Sequence, residues 1–562
     1  LLRLFTIQII AYPRYSRLAR RQHVTEYKLP ASRGAILDRN GRVLAVSQEG
    51  AAIYLVPRYF FDKKKGGTFD QLRSVCRLTG RSAFEVRAEA ARKPFIWLKR
   101  PASLADLAAI RDLCARERIQ GVGWEPLCLR HYPQGDTAGQ VLGFTNDEGR
   151  GLEGVEYGYD RYLHRSSSHM NVLRDNRGNL IFTGGHPDED ASAASSLTLT
   201  IDTTLQHAAE RELDQGLRRQ SARWGCAIVM DPTTGEILAL ANAPRFAPMA
   251  GASGPADRRI NRAVTTVFEP GSVFKLVTLS AAMQDHEVKE DDVINCERGA
   301  FTLADRVIHD VESFSRLSVA EVFAYSSNIG FAKIGLKLGP DRVFRWARDY
   351  GFGESTRVGL PGEEKGLLRK AEDRFTCAAQ SFGHGLGVTA IQLAVAYASV
   401  ANGGRRLKPY IVREVRDARG LLRVSNQTEM VRQVVSAGIA RRLTEMLVGV
   451  VNYGTGRAAA VPGYKIAGKT GTAQVSTPTG YMPAGNNMVT FVGFFPADAP
   501  RFLVLVTMDR PRGGTQAGGT VGPVFREIAL AAIRQFGVPN TGGALAYDTN
   551  EPGPPPVLAS AR

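Results

Sequence analysis

The run Ser272-Val-Phe-Lys-Leu-Val-Thr-Leu-Ser-Ala-Ala-Met283 constrains the fold more than any other stretch of the chain. It follows the sharp entry Pro270-Gly271 and, wound as a helix, is apolar on nearly every side. Such a helix has no face to give to water, so other segments must enclose it. The enclosing segments stand on both sides of it in sequence. Strand-like runs occur at 198–202, 227–230 and 237–241, the last two flanking the turn Asp231-Pro-Thr-Thr-Gly235. More follow at 464–467, 488–495 and 502–508. Helical patterns occupy 205–216, 319–338, 389–401 and 436–450. Strands at front and back with helices between them predict an α+β domain whose sheet draws on both ends of its sequence.

A chain of 562 residues exceeds what one core usually organises, so further domains are expected. Arg33-Gly-Ala-Ile-Leu-Asp-Arg-Asn-Gly41 continues to Ser47 as a hairpin around the turn 38–41. Residues 68–120 mix helical periodicity with basic residues, with a helix over 104–113. A Gly- and Ser-rich passage over 166–196, carrying Asp188-Glu-Asp190, marks a domain boundary. The expected division is 1–22, 23–190, 191–540 and a disordered tail over 541–562, which holds Pro-Gly-Pro-Pro-Pro.

Composition excludes some functions. The net charge is +17, but residues 1–100 hold 21 basic and 7 acidic side chains, a net of +14. The remainder is nearly neutral, which argues against a uniformly basic nucleic-acid binder. The opening Leu-Leu-Arg-Leu-Phe-Thr-Ile-Gln-Ile-Ile-Ala-Tyr12 is followed by Arg14, Arg17, Arg20 and Arg21, as where a membrane span meets an interface. It is shorter than the ~20 residues of a full span, so we read it as the end of a signal anchor. An amphipathic helix of a soluble domain is the alternative. Lys63, Lys64 and Lys65 belong to the same basic region, read as facing anionic lipid headgroups or a membrane partner. Six cysteines form no Cys-x-x-Cys pair and read as isolated, mostly buried thiols. The nine histidines form no convincing metal constellation, and neither metal nor cofactor is expected.

Three short elements carry chemistry. In Glu269-Pro-Gly-Ser272-Val-Phe-Lys275, Ser272 stands at a helix start and Lys275, one turn on, would reach its hydroxyl. An enclosed lysine loses its charge, and a neutral amine is a competent general base. Ser326-Ser327-Asn328 lies inside the helical stretch from 319 and offers a hydroxyl to pass protons and an amide to hold a backbone. Ala467-Gly-Lys469-Thr470-Gly471-Thr472-Ala473-Gln474 lies on a strand whose small residues would let a ligand backbone lie against its edge. Lys469, Thr470 and Thr472 suit a carboxylate. Gly463 completes a formal P-loop pattern, but the residues between are strand-like and Gly471 opposes a following helix, so nucleotide binding is disfavoured.

Ser-x-x-Lys, Ser-x-Asn and Lys-Thr-Gly in this order, 54 and 143 residues apart, are the signature set of penicillin-binding proteins and serine β-lactamases. The chain resembles a class B penicillin-binding protein over roughly residues 1–540. Further landmarks are the 33–41 motif, Gly151-Leu-Glu-Gly-Val-Glu156, Asn261-Arg-Ala-Val264, Ser381-Phe-Gly-His-Gly385, Ala401-Asn-Gly-Gly404 and Tyr453-Gly-Thr-Gly456. Gly143-Phe-Thr-Asn146, 151–156 and Leu360-Pro-Gly-Glu363 look more like the division-specific (FtsI-like) branch than the elongation branch. The resemblance implies an antiparallel sheet flanked by helices, with an all-helical part, on an elongated N-terminal pedestal.

It also implies peptidoglycan DD-transpeptidation on the outer side of the cytoplasmic membrane, at the division septum. Ser272 would attack the bond between the terminal D-alanines of a stem peptide, with Lys275 as its base. Ser326 would relay protons, Asn328 would hold the acyl-side amide, and Lys469, Thr470, Gly471 and Thr472 would bind the terminal carboxylate. The N–H groups of Ser272 and Thr472 would form the oxyanion hole. β-Lactams would acylate Ser272, and a SEDS-family lipid II polymerase would be a partner. The family often has tyrosine where this chain has His384, read as a packed loop residue or a group at the site's edge. Glu372-Asp-Arg-Phe375 only superficially resembles a glycosyltransferase element, so glycan polymerisation is not supported. An elongation-type transpeptidase, a β-lactam sensor and a β-lactamase remain alternatives.

Overall fold

A computed structural model of the chain describes residues 2–15, 24–28, 33–62, 66–164, 169–174, 180–181, 194–477, 480–483, 485–513 and 516–540. The expected boundary at 188–190, Lys63, Lys64, Lys65, Arg17, Arg20, Arg21 and the tail lie outside these residues. No helix among the described residues is long and apolar enough to cross a membrane. The first residues form a short helix, Leu2–Phe5, followed by a π-turn, Thr6–Ile10.

The centre of the C-terminal portion is a five-stranded sheet built from β1 (Trp224–Met230), β2 (Ile237–Ala243), β3 (Ala467–Gln474), β4 (Asn487–Phe495) and β5 (Phe502–Asp509). Its order is β2-β1-β5-β4-β3, antiparallel throughout, so the sheet does draw on both ends of the sequence. Side chains alternate between two cores with period two. Val504, Val506 and Met508 pack against α1 (Thr203–Gln220) and α7 (Ala517–Phe536), while Leu503 and Leu505 face the opposite layer. That layer holds α2 (Lys275–Gln284), α3 (Val319–Ala324), α4 (Asn328–Leu338), α5 (Ala390–Ala401) and α6 (Ala437–Asn452). Residues 275–283 are all buried, as the absence of a polar face requires. The run expected at 464–467 begins as strand only at Ala467, and the helical pattern over 319–338 is two helices rather than one.

The N-terminal hairpin is present, with Ile36–Leu37 paired to Val43–Leu55. Asp38 Oδ1 accepts the N–H groups of Asn40 and Arg42, which closes the turn. A separate core forms where Val43–Leu55, Ile96–Ala102 and the helices Phe69–Thr79 and Leu104–Glu117 meet. Two sequence landmarks meet in this part of the molecule. Arg33 binds Glu156 and Asp160, and Arg130 Nε donates to Glu156 Oε1 at 2.7 Å, with Glu156 fully buried. The run at 198–202 contributes the strand Ser196–Leu199 to the N-terminal sheet rather than to the five-stranded one. It lies between Ile36–Leu37 and Val412–Arg416.

Candidate active site

The turn that carries Ser272 is held in place by close backbone packing. Gly271–Phe274 is a single 3-10 turn that leads into α2 at Lys275. Gly271 takes a positive φ of 54°, and a Cβ there would meet Thr472 O at 2.8 Å. Its N–H donates to Gly383 O at 3.1 Å, and Tyr397 of α5 donates its hydroxyl to Val273 O at 2.8 Å. The glycines of β3 serve the same packing. A Cβ on Gly471 would meet Pro270 O and Val273 Cγ1 at 2.9 Å, and one on Gly468 would enter the Phe491 ring. They admit the protein's own turn and ring, a correction to their reading as space left for a ligand. Among the described residues the strand remains at the sheet edge, paired only with β4.

Ser326 and Ser327 lie in a break between α3 and α4, and Asn328 is the first residue of α4, which corrects the expected place of the triplet inside one continuous helix. Ser326 has φ +62°, a left-handed conformation unusual for a residue with a Cβ, and Ser327 caps α4. Asp310 imposes the break. Its carboxylate accepts the Ser327 hydroxyl at 2.6 Å and the N–H groups of Asn328 and Ile329. Asn328 Nδ2 donates to His309 O at 3.0 Å, which turns its Oδ1 towards Lys275.

Two fully buried lysines converge on Ser326. Lys275 Nζ donates to Ser326 O at 2.6 Å and Asn328 Oδ1 at 2.9 Å, and lies 3.1 Å from Ser326 Oγ. Lys469 Nζ lies 3.0 Å from the same Oγ and donates to Thr470 O at 3.2 Å. Burial pushes the Lys275 amine down to about 7, opposed in part by the Asp310 carboxylate. Burial and, secondarily, the charge of Lys275 hold Lys469 well below the usual lysine range. A hydroxyl between two amines of lowered basicity can accept from one and donate to the other. The expected contact of Lys275 with the Ser272 hydroxyl is not among these bonds; Ser272 lines the adjoining space, while Lys275 is fully buried and reaches Ser326 and Asn328, which line it too.

That space is a cavity of about 880 Å³, lined by Ser272, Ser326, Asn328, Thr470 and Thr472 among others. Thr470 and Thr472 share one face of β3, opposite Lys469 and Gly471. Thr470 Oγ1 lies 2.5 Å from Thr455 Oγ1, which brings the 453–456 landmark into the site. Thr472 Oγ1 accepts the Ala517 N–H at 3.3 Å, and 516–519 at the start of α7 line the cavity with Arg457. The N-terminus of a 20-residue helix beside a guanidinium makes this end of the cavity favourable for an anion. Sequence reasoning missed Asp310, Thr455 and the start of α7. Only Thr455 had a usable signal, since it stood within a recognised motif.

Comparison with known proteins agrees with this geometry. Residues 225–530 match the model of the penicillin binding protein transpeptidase domain, and 28–192 match that of the penicillin-binding protein dimerisation domain. A probable peptidoglycan D,D-transpeptidase, PbpC of Pseudomonas aeruginosa, is 33% identical over 92% of this chain and 89% of its own. Peptidoglycan D,D-transpeptidase FtsI of Escherichia coli K12 is 32% identical over 91% of this chain and 85% of its own. The crystal structure of penicillin binding protein 3 from Mycobacterium tuberculosis complexed with aztreonam superposes with a TM-score of 0.70 at 28% identity, covering 93% of this chain and 99% of that one. With the transpeptidase domain over more than half its length and the dimerisation domain ahead of it, the chain belongs to the class B penicillin-binding proteins.

Proposed function

We propose that this chain cross-links peptidoglycan stem peptides as a serine DD-transpeptidase. The observation that carries the reading is the Ser326 hydroxyl held between two buried, weakly basic lysines on the cavity that Ser272 lines. Ser272 Oγ attacks the carbonyl carbon between the terminal D-alanines, and its proton passes to neutral Lys275. Ser326 relays that proton to the leaving nitrogen, the C–N bond breaks, and D-alanine departs. An amine of a second stem then attacks the ester. Thr470, Thr472, Lys469 and the start of α7 receive the donor's carboxylate, whose arrival restores the Lys469 charge; Gly471 lets strand and nucleophile turn approach. Asn328 holds the acyl-side amide, and the N–H groups of Ser272 and Thr472 stabilise the oxyanion.

Fluorescent penicillin labels the wild type covalently and leaves Ser272→Ala unlabelled; labelling of that variant overturns the nucleophile assignment. Turnover of a D-alanyl thioester separates a transpeptidase from a β-lactam sensor, and an acyl-enzyme lost within seconds would mark a β-lactamase.

The likeness to FtsI, and to stage V sporulation protein D of Bacillus subtilis at 31% identity, supports a place in septal synthesis. We extend the proposal to a single N-terminal anchor in the cytoplasmic membrane, an extracytoplasmic catalytic portion and a SEDS-family lipid II polymerase as partner. The net +14 of residues 1–100 supports the membrane side of this reading. Midcell localisation of the tagged protein with filamentation on depletion is expected. Sidewall localisation with cell rounding would favour elongation instead.

A further inference from the structure

The two ends of the catalytic cavity differ in charge, and the second end has so far no role. Glu269 stands three residues ahead of Ser272, with its side chain only 11% exposed. Its carboxylate accepts the Gly385 N–H at 3.1 Å and the Tyr481 hydroxyl at 3.1 and 3.2 Å. These bonds tie the nucleophile turn to two other loops, yet both come from neutral donors. The ionisable group beside the carboxylate is His384, whose Nδ1 lies 3.8 Å from Glu269 Oε2, beyond hydrogen-bond reach.

His384 lines the cavity with Ser272, and its side chain is 31% exposed. The preceding residue, Gly383, accepts the Gly271 N–H, so the imidazole is fixed next to the nucleophile turn. Phe382 and Tyr481 flank the ring, with centroids 5.2 and 6.4 Å away. Among the described residues the imidazole makes no hydrogen bond. Burial, reinforced by the nearby Lys275 charge, pushes it down to about 4, so it is a neutral ring able to accept a proton donor. The carboxyl of Glu269 is raised by burial.

The cavity therefore offers an anion site around Thr470, Thr472 and α7, and a carboxylate-backed, unoccupied acceptor beside Ser272. Transpeptidation brings in two peptides of matching character, a donor ending in a carboxylate and an acceptor presenting an amine. We propose that His384, backed by Glu269, receives the amine of the acceptor stem and positions it against the Ser272 ester. The imidazole accepts an N–H of the amine, and the Glu269 carboxylate favours its positive character during approach. In the reaction the amine nitrogen bonds to the ester carbon as the carbon–Oγ bond breaks, and the amine proton ends on Ser272 Oγ. His384 is thus a positioning residue that distinguishes amines from water. The inference rests on the transpeptidase reading above.

The partition of one acyl-enzyme tests it, because both products arise after acylation and their ratio does not depend on how fast Ser272 was acylated. With a D-alanyl thioester as donor, glycinamide and methanol serve as competing acceptors against water. In His384→Ala the glycinamide concentration giving half-maximal aminolysis should rise about tenfold, the upper end of the scale for one lost hydrogen bond. The methanol partition should stay within about twofold, the resolution of a ratio worth a few tenths of a kcal/mol. His384→Gln, which keeps an acceptor oxygen, should fall between, and it carries the test if the alanine variant does not fold. An unchanged glycinamide dependence, or equal losses for glycinamide and methanol, overturns the proposal. A wild type that penicillin does not label on Ser272 overturns the underlying transpeptidase reading instead.

Discussion

Around Glu156 the chain buries two arginines with a carboxylate between them; around Ser326 it buries two lysines with only a hydroxyl between them. The first arrangement satisfies its charges, because Arg33 and Arg130 reach the same carboxylate and Arg33 also reaches Asp160. The second leaves charge unbalanced, so the lysines respond by losing basicity. Burial of cations thus does structural work where an acid is supplied and chemical work where one is withheld. Asp310 marks the intermediate case: it acts electrostatically on Lys275 while its hydrogen bonds go to the 327–329 backbone and hydroxyl.

The contrast can be broken most severely at Lys275. Lys275→Ala should lower the rate of penicillin acylation about a thousandfold, within the range for a lost general base. A loss below about tenfold would show that Ser272 is activated otherwise. At the other pole, Glu156→Gln should cost on the order of 3–5 kcal/mol, since it removes the buried carboxylate that Arg33 and Arg130 share and leaves only Arg33 with a second acid, Asp160, among the described residues. Thermal unfolding reads that loss, and folded molecules should still be labelled on Ser272. An unshifted unfolding transition would mean that the arginines find other partners.

The pH dependence sharpens the comparison. Neutral Lys275 is the base, so acylation should rise as pH increases through about 7 and fall below it. Asp310→Asn removes the charge that opposes this lowering, and the limb should move to lower pH. A limb moving upward, or not at all, would detach Asp310 from Lys275. The smallest effect is expected for Thr455→Val, which removes the partner of the Thr470 hydroxyl. Acylation should slow only severalfold, corresponding to about 1 kcal/mol for one hydrogen bond.

Much of this was legible in the sequence, for identifiable reasons. The helix over 275–283 declared its burial because no polar face interrupted it, and β1, β2, β4 and β5 announced themselves by apolar runs, which β3 lacks. The break at Ser326 was hidden, since the apolar period runs through 319–338 and its two glycines, Gly330 and Gly335, lie beyond the break, inside α4. Tertiary hydrogen bonds from Asp310 and Lys275 impose it. The start of α7 was concealed for the opposite reason. Gly518, Gly519, Gly522 and Pro523 are poor helix formers, and packing on the sheet holds them in a helix. The pairing of Arg33 with Glu156 spans 123 residues, a distance at which no local pattern speaks.

The strand Ser196–Leu199 joins the two parts of the chain in a common sheet. Leu197 pairs with both Ile36 and Val415, so the same residue is stitched on one side to the dimerisation-domain stretch and on the other to the transpeptidase. A recombination crossover near residue 200 would separate matched strand partners and set Val412–Arg416 against a relative's strand. Shuffling of catalytic portions between relatives is therefore expected to carry the N-terminal strand along, or to fail at folding before any change of specificity could be selected.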